Sequence, residues 1–266
     1  GMKYATGDYV IFVDSDDWLK KEMVETLVNL LLDLKGDVIQ SGFYYAYEDN
    51  LLYDDRYYSE DMKPVELNKN QLMKELVSNE RVKNFAWGKL YKIDLIKDIP
   101  FEKGVLFEDV FWAHKVMDRV NKYIICHKPL CYYLQRNDSI VSTYTARNLD
   151  IIWGMKERHK FIEKNYEELI NESYKILTKT ILLHYYLLNK NNDKDLDGCY
   201  RKELRSYIIE NYSNIKDAII NDKELSKEVS LFKFNYYLSR IYVNINKILR
   251  KVNLKEKQSA LKKISF

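Results

Sequence analysis

Asp14, Asp16 and Asp17 crowd together directly after the apolar run Tyr-Val-Ile-Phe-Val that starts at Tyr9. Side chains at the carboxyl end of a strand project into the crevice where open α/β sheets bind ligands. Asp14 and Asp16 are separated only by Ser15, so in a tight loop both carboxylates can face one ligand. Their repulsion is relieved when a cation lies between them. Oxygen donors select a hard ion such as Mg²⁺ or Mn²⁺, completed by water and phosphate oxygens. The competing reading is a helix start, where aspartate favours the positive end of the dipole, and Asp17 suits that role. A second acidic spot, Glu108 and Asp109, follows Leu106 and Phe107. An acid emerging from an apolar loop at a helix start can be tuned as a general base, although such a pair is also ordinary in a helix first turn.

The elements that must position these acids follow from periodicity. Tyr9–Val13 reads as a central strand buried on both faces. The spacing of Met23, Leu27, Leu30, Leu31 and Leu34 predicts a helix that ends at Gly36. A second strand is expected over Asp37–Tyr47, which makes a βαβ-like unit. A polar excursion covers Glu48–Glu66. Asn68 starts a short helix with Leu72, Met73, Leu76 and Val77 inward. Phe85–Ile96 reads as an aromatic turn feeding a helix, and a further helix starts near Glu108. "KYIICH" and "LCYYLQR" read as two strands of a hairpin split by Pro129. From about Thr145 the period is helical almost to the end, with Ile176, Leu177, Thr180, Ile181, His184, Leu187 and Leu188 on one face and no strand expected. The reading is an α/β domain over residues 1–145 followed by an all-α domain over 146–266.

Composition narrows the function classes. Hydrophobic residues make up 46% and charged residues 31%, as in a globular domain. A net charge of +3 gives no reason to invoke nucleic acid. Residues 227–266 hold ten Lys/Arg against two Glu, so the C-terminal region is the basic part. That pattern fits a surface meeting anionic lipid, or a solvated helix face without a partner. Residues 232–248 mix Phe, Tyr and Ile with Lys and Arg, suiting a packing helix or one lying on a membrane. Cys126, Cys131 and Cys199 lack the spacing of a zinc site. No apolar run approaches the ~18 residues of a membrane span. The expected location is cytoplasmic, with peripheral contact at the inner membrane face.

The residues carry a resemblance. "KYATGDYVIFVDSDDWL" resembles the centre of family-2 glycosyltransferases, inverting GT-A-fold enzymes that use nucleotide sugars. "AWGKLYK" (86–92), "FEKGVLFEDVFW" (101–112) and "YYLQRNDSIVS" (132–142) resemble that family's next segments, in order. The helical remainder matches no motif. The resemblance implies that Asp14-Ser15-Asp16 is the DxD motif. Asp16 then binds an Mg²⁺ or Mn²⁺ ion at the donor diphosphate, and Asp14 contacts the ribose side or assists the ion. Asp109 is implied as the catalytic base, with Glu108 beside it. Trp87, Gly88 and Lys89 line the sugar and acceptor pocket, and Arg136 and Ser139 close over the diphosphate. No His stands where a later metal ligand is expected. Members of the family carry two further strand segments before this motif, so the expectation is an incomplete GT-A domain lacking the first nucleotide-binding strands.

The function implied is sugar transfer from a nucleotide-sugar donor to a saccharide or lipid-linked acceptor, with inversion, in cell-envelope polysaccharide synthesis. The alternative is an inactive remnant acting as an interaction, acceptor-binding or oligomerisation module, with a homo-oligomer formed through a bare sheet edge. A simple Mg²⁺-dependent phosphotransfer enzyme explains the acids but not the later segments.

Overall fold

A computed structural model of the chain describes residues 1–55, 63–136, 144–253 and 261–265. The chain divides into two compact units, residues 1–143 with 259–266, and residues 144–258.

The first unit is built on a mixed sheet. Its strands are β1 (Tyr9–Ile11), β2 (Trp18–Leu19), β3 (Val38–Ala46), β4 (Asn50–Asp54), β5 (Val65–Asn68), β6 (Lys89–Lys92), β7 (Lys122–Leu134) and β8 (Leu261–Ser265). The main path runs β1-β6-β3-β4-β8, while β7 lies parallel to β3 and takes β2 and β5 as antiparallel partners. Helices α1 (Met23–Asp33), α2 (Lys69–Ser78), α3 (Ile93–Ile96) and α4 (Glu108–Met117) connect the strands.

Strand alternation sorts the two faces. Ile39, Leu90 and Ile124 are register partners, and they pack with Met23, Leu27 and Leu31 of α1. One residue along, Val38, Tyr91 and Tyr123 are partners that point to the opposite face. There Tyr91 meets Trp112 of α4 edge-on at 5.5 Å. Trp112 also stacks on Phe101 at 4.6 Å and donates from Nε1 to the Ile99 carbonyl at 2.8 Å. The helix carrying Glu108 and Asp109 is therefore pinned to the sheet four residues beyond its start.

Several expectations are corrected. β1 is an edge strand, only partly buried, with β6 inserted between it and β3. Trp18–Leu19 is a short strand, so α1 starts later than expected, with Glu22 at its N-cap. Residues 89–92, taken for the start of a helix, form β6, and only Ile93–Ile96 turns helical. The polar excursion contains β4, which returns antiparallel on β3. No hairpin forms at Pro129. The segment is one strand running parallel to β3, with register shifts on either side of Gly42. Gly42 is required there, because a Cβ would lie 2.9 Å from the His127 carbonyl oxygen. A strand also closes the chain in the region read as wholly helical, with Leu261–Ser265 pairing to β4. The helix expected at Asn68 is present, and the Asn68 and Gln71 side chains bond each other's backbone N–H groups.

Asp37 ties three segments of this unit. Its carboxylate accepts from Lys92 Nζ at 2.8 Å and from the Asn121 and Lys122 backbone N–H groups at 2.9 and 3.1 Å. Burial acts to raise its pKa, but these donors prevail and hold it below the usual carboxylate range. A depressed pKa stabilises the fold fully above the unfolded value of ~4, and that stabilisation is lost as pH falls through the folded value. Asp37→Asn is expected to cost on the order of 2 kcal/mol at neutral pH. Urea melts of both proteins should converge in acid, and a gap independent of pH would argue against the ionised carboxylate.

The second unit is helical: α5 (Asp150–Asn165), α6 (Ile170–Lys190), α7 (Cys199–Glu210), α8 (Tyr212–Ala218), α9 (Lys223–Phe234) and α10 (Tyr236–Asn253). Its core gathers Ile152, Leu177, Ile181, Leu204, Ile215 and Phe232.

Candidate active site

Asp14, Glu108, Asp109 and Trp87 open onto one cleft of about 620 Å³, floored by Phe12 and Phe101. Asp14 lies three residues past the end of β1, and the acids of α4 arrive from the other side. Phe107, the residue before them, adopts a left-handed conformation (φ 59°) as the N-cap of α4. A bulky residue in that region is uncommon outside sites that impose it. Here the turn redirects the chain so that the first helical residues face the cleft.

The electrostatics are those of crowded acids. Partial burial raises the Asp14 pKa, with the charges of Asp16 and Glu108 adding to the shift. Burial likewise pushes Asp109 up to about 6, opposed by the Lys89 cation and an Ala86 N–H bond, and aided by Glu108 and Asp14. An acid poised there can accept a proton near neutrality.

Lys89 does not line the cleft. It is fully buried, and its amine donates to the carbonyls of Lys83 (3.0 Å) and Phe85. Burial lowers its pKa, and the Asp109 charge works against that fall. Lys89 thus serves as a buried counter-charge behind Asp109. Gly88 also lies behind the cleft. It takes φ +68°, and its carbonyl accepts from the Ser41 N–H at 2.9 Å. Trp87 does face the cleft, stacked parallel on Phe85 at 3.7 Å and held edge-on by Phe43 at 5.0 Å. An indole fixed in this way presents a flat apolar surface of the sort that packs against a sugar ring.

Asp16 sits beside the cleft and is ion-paired with Arg136, which follows β7. Ser139 lies outside the described residues. Asp17 does not cap a helix. Its Oδ1 accepts from the Leu134 N–H at 2.9 Å. Burial pushes Asp17 to about 6, with that bond opposing and the charges of Asp14 and Asp16 adding. Among the described residues no cluster of three or more His, Cys, Asp or Glu is placed to cage a metal. Mg²⁺ commonly uses only one or two carboxylates plus water and phosphate, so the Asp14–Asp16 pair fits such an ion by donor chemistry. Sequence reasoning passed over Phe12, Lys3 and Lys103, which also line the cleft. Lys103 lies in the matched 101–112 segment, so its position there was the available signal.

Residues 1–89 match the family described as Glycosyl transferase family 2. The glycosyltransferase GlyA of Streptococcus pneumoniae serotype 4 is 32% identical over 169 residues, 59% of this chain and 23% of GlyA. The N-terminal third of the chain thus carries the glycosyl transferase family 2 signature. A cholesterol galactosyltransferase of Borreliella burgdorferi is 24% identical across 96% of this chain and 77% of its own length. The crystal structure of S. aureus TarS 1–349 in complex with UDP-GlcNAc superposes with a TM-score of 0.60. That match covers 96% of this chain and 71% of the TarS chain at 18% identity. This likeness establishes the fold, a GT-A-like sheet domain followed by a helical region. The chain spans less than a quarter of GlyA's length.

Proposed function

We propose that the cleft transfers a sugar from a nucleotide-diphosphate donor to a hydroxyl acceptor with inversion. The observation that carries this is the convergence of Asp14, Asp109 and the stacked Trp87 on one cleft. The family match over residues 1–89 supports it, as does the UDP-GlcNAc in complex with the TarS neighbour. Asp109 takes the acceptor hydroxyl proton as that oxygen attacks the anomeric carbon. The bond from the anomeric carbon to the diphosphate oxygen breaks, and its electron pair leaves with the diphosphate. Attack from the face opposite the leaving group inverts the centre. Burial keeps the Asp109 proton affinity high, with Glu108 and Asp14 adding to it, and Lys89 keeps Asp109 ionised enough to act.

Asp16 and Asp14 would hold a divalent Mg²⁺ or Mn²⁺ ion, which when bound would offset charge on the departing diphosphate. Arg136, freed from Asp16, adds donors on that side. Trp87 packs against the sugar. The acceptor class is a saccharide or a lipid-linked saccharide of the cell envelope.

Calorimetry with a UDP-sugar tests the diphosphate side. Asp16→Ala is expected to weaken Mn²⁺-supported donor binding by at least ~10-fold, the smallest loss typical even of groups that only orient metal ligands. In EDTA the variant should bind no worse than the parent, because Arg136 loses its competing carboxylate. Equal Mn²⁺-supported affinities for parent and variant would remove Asp16 from the metal role.

A further inference from the structure

Helix α10 turns most of its large apolar side chains outward. An amphipathic helix on a globular unit normally turns its apolar stripe to the core. Here Ser239 is buried at 3% exposure, while Tyr237, Leu238, Ile241, Ile245 and Ile248 are between 43% and 70% exposed. These positions recur at helical spacing and form one narrow stripe along the axis. Phe234, at the end of α9, extends it at 79% exposure. A continuous apolar face of this kind marks an interaction surface.

The flank of the stripe is cationic. A cleft of about 370 Å³ is lined by Tyr186, Lys190, Arg201, Tyr236, Tyr237 and Arg240, with Asn189 and Asn192 and no acidic residue. Tyr237 belongs to both stripe and cleft, so the two are continuous. Arg240 lies 3.8 Å over the Tyr186 ring, which holds the guanidinium at the cleft. Arg201 is anchored by Asp195 at 2.8 Å and by Asn192 at 3.1 Å. Cations and tyrosines beside an exposed apolar stripe match the layered chemistry of a bilayer surface, with acyl chains below and phosphates above.

We infer that the second unit docks on an anionic phospholipid membrane, α10 lying in the interface and the Lys190–Arg201–Arg240 cleft taking a headgroup phosphate. This inference is independent of the catalytic reading. The rival occupant is a second copy, because Leu238, Ile241, Ile245 and Ile248 also have the spacing of a coiled-coil seam. Self-pairing along this face would bring Arg240 and Lys247 near their own like charges, whereas anionic lipid neutralises them.

Co-sedimentation of the full chain with phosphatidylcholine vesicles, with and without phosphatidylglycerol, tests this. The parent should bind the anionic vesicles and lose binding as salt rises. Ile241→Glu/Ile245→Glu should lower the partition coefficient at least ~10-fold. Both sites are exposed, so the variant should fold, as circular dichroism would verify. Lys190→Ala and Arg240→Ala should each lower it about fivefold on anionic vesicles only. Leu32→Glu, exposed on α1, should change nothing. Failure of the parent to bind anionic vesicles would overturn the proposal, as would unchanged binding by the stripe variant. A dimer in light scattering that the stripe variant dissolves, without vesicle binding by the parent, would assign the face to a second copy.

Discussion

Asp109→Asn is expected to lower sugar transfer by about 10²–10⁴-fold while leaving donor affinity close to that of the parent. The amide keeps the shape and the Ala86 contact but cannot take the acceptor proton. Donor binding falls on the other acids, so the loss should appear in kcat. The pH profile carries a second signature. Asp109 must be ionised to act, and burial places its pKa at about 6. Parent activity should therefore fall as pH drops through about 6, well above the ~4 at which an ordinary aspartate would titrate. The residual activity of the Asn variant should lack that limb. Initial rates by UDP release across pH, beside calorimetric donor titrations, separate the outcomes. An Asn variant retaining the acid limb, or losing donor binding in proportion to turnover, would move the base role elsewhere.

Trp112→Ala carries the largest expected effect on stability. The side chain is buried at 1% exposure. It packs against Phe12, Tyr91 and Phe101 and satisfies the Ile99 carbonyl. Truncating a buried aromatic of this size costs about 3–5 kcal/mol through lost burial and the cavity left behind. Trp112→Phe should cost less, since it keeps most ring contacts and loses the hydrogen bond. The helix that loosens is the one presenting Glu108 and Asp109, so transfer should decline in the Phe variant before global unfolding does. Denaturant melts give the first quantity and activity at low denaturant the second. A stability loss under about 1 kcal/mol for the Ala variant would mean that α4 is held by other contacts.

Much of the site was legible because its residues are local in sequence. The strand before Asp14, the helix start at Glu108 and the Asn68 cap are each written within a few residues. Non-local choices were not. The apolar run at Leu90–Tyr91 suits strand or helix equally over so short a length, and only pairing with β1 and β3 decides it. Pro129 signals a break, yet a parallel strand absorbs it through the register shift opposite Gly42. Lys89 lies inside a matched segment, but nothing local tells whether a lysine points to a cleft or is buried behind it. That depends on the carbonyls of residues 83 and 85 folding back. The outward turn of α10's apolar side chains is likewise invisible to periodicity, which reports a stripe but not the direction it faces.

The Asp17–Leu134 hydrogen bond joins residues 117 positions apart in the chain. One end carries the Asp14–Asp16 turn and the other leads directly to Arg136. These two segments are thus fastened at several points, by the β2–β7 pairing, by this hydrogen bond and by the Asp16–Arg136 ion pair. A ligand that displaces Arg136 from Asp16 cannot free the two segments entirely, since the neighbouring clasp persists. The Asp16–Arg136 contact can therefore be exchanged for another partner while the backbone on either side of it stays in register.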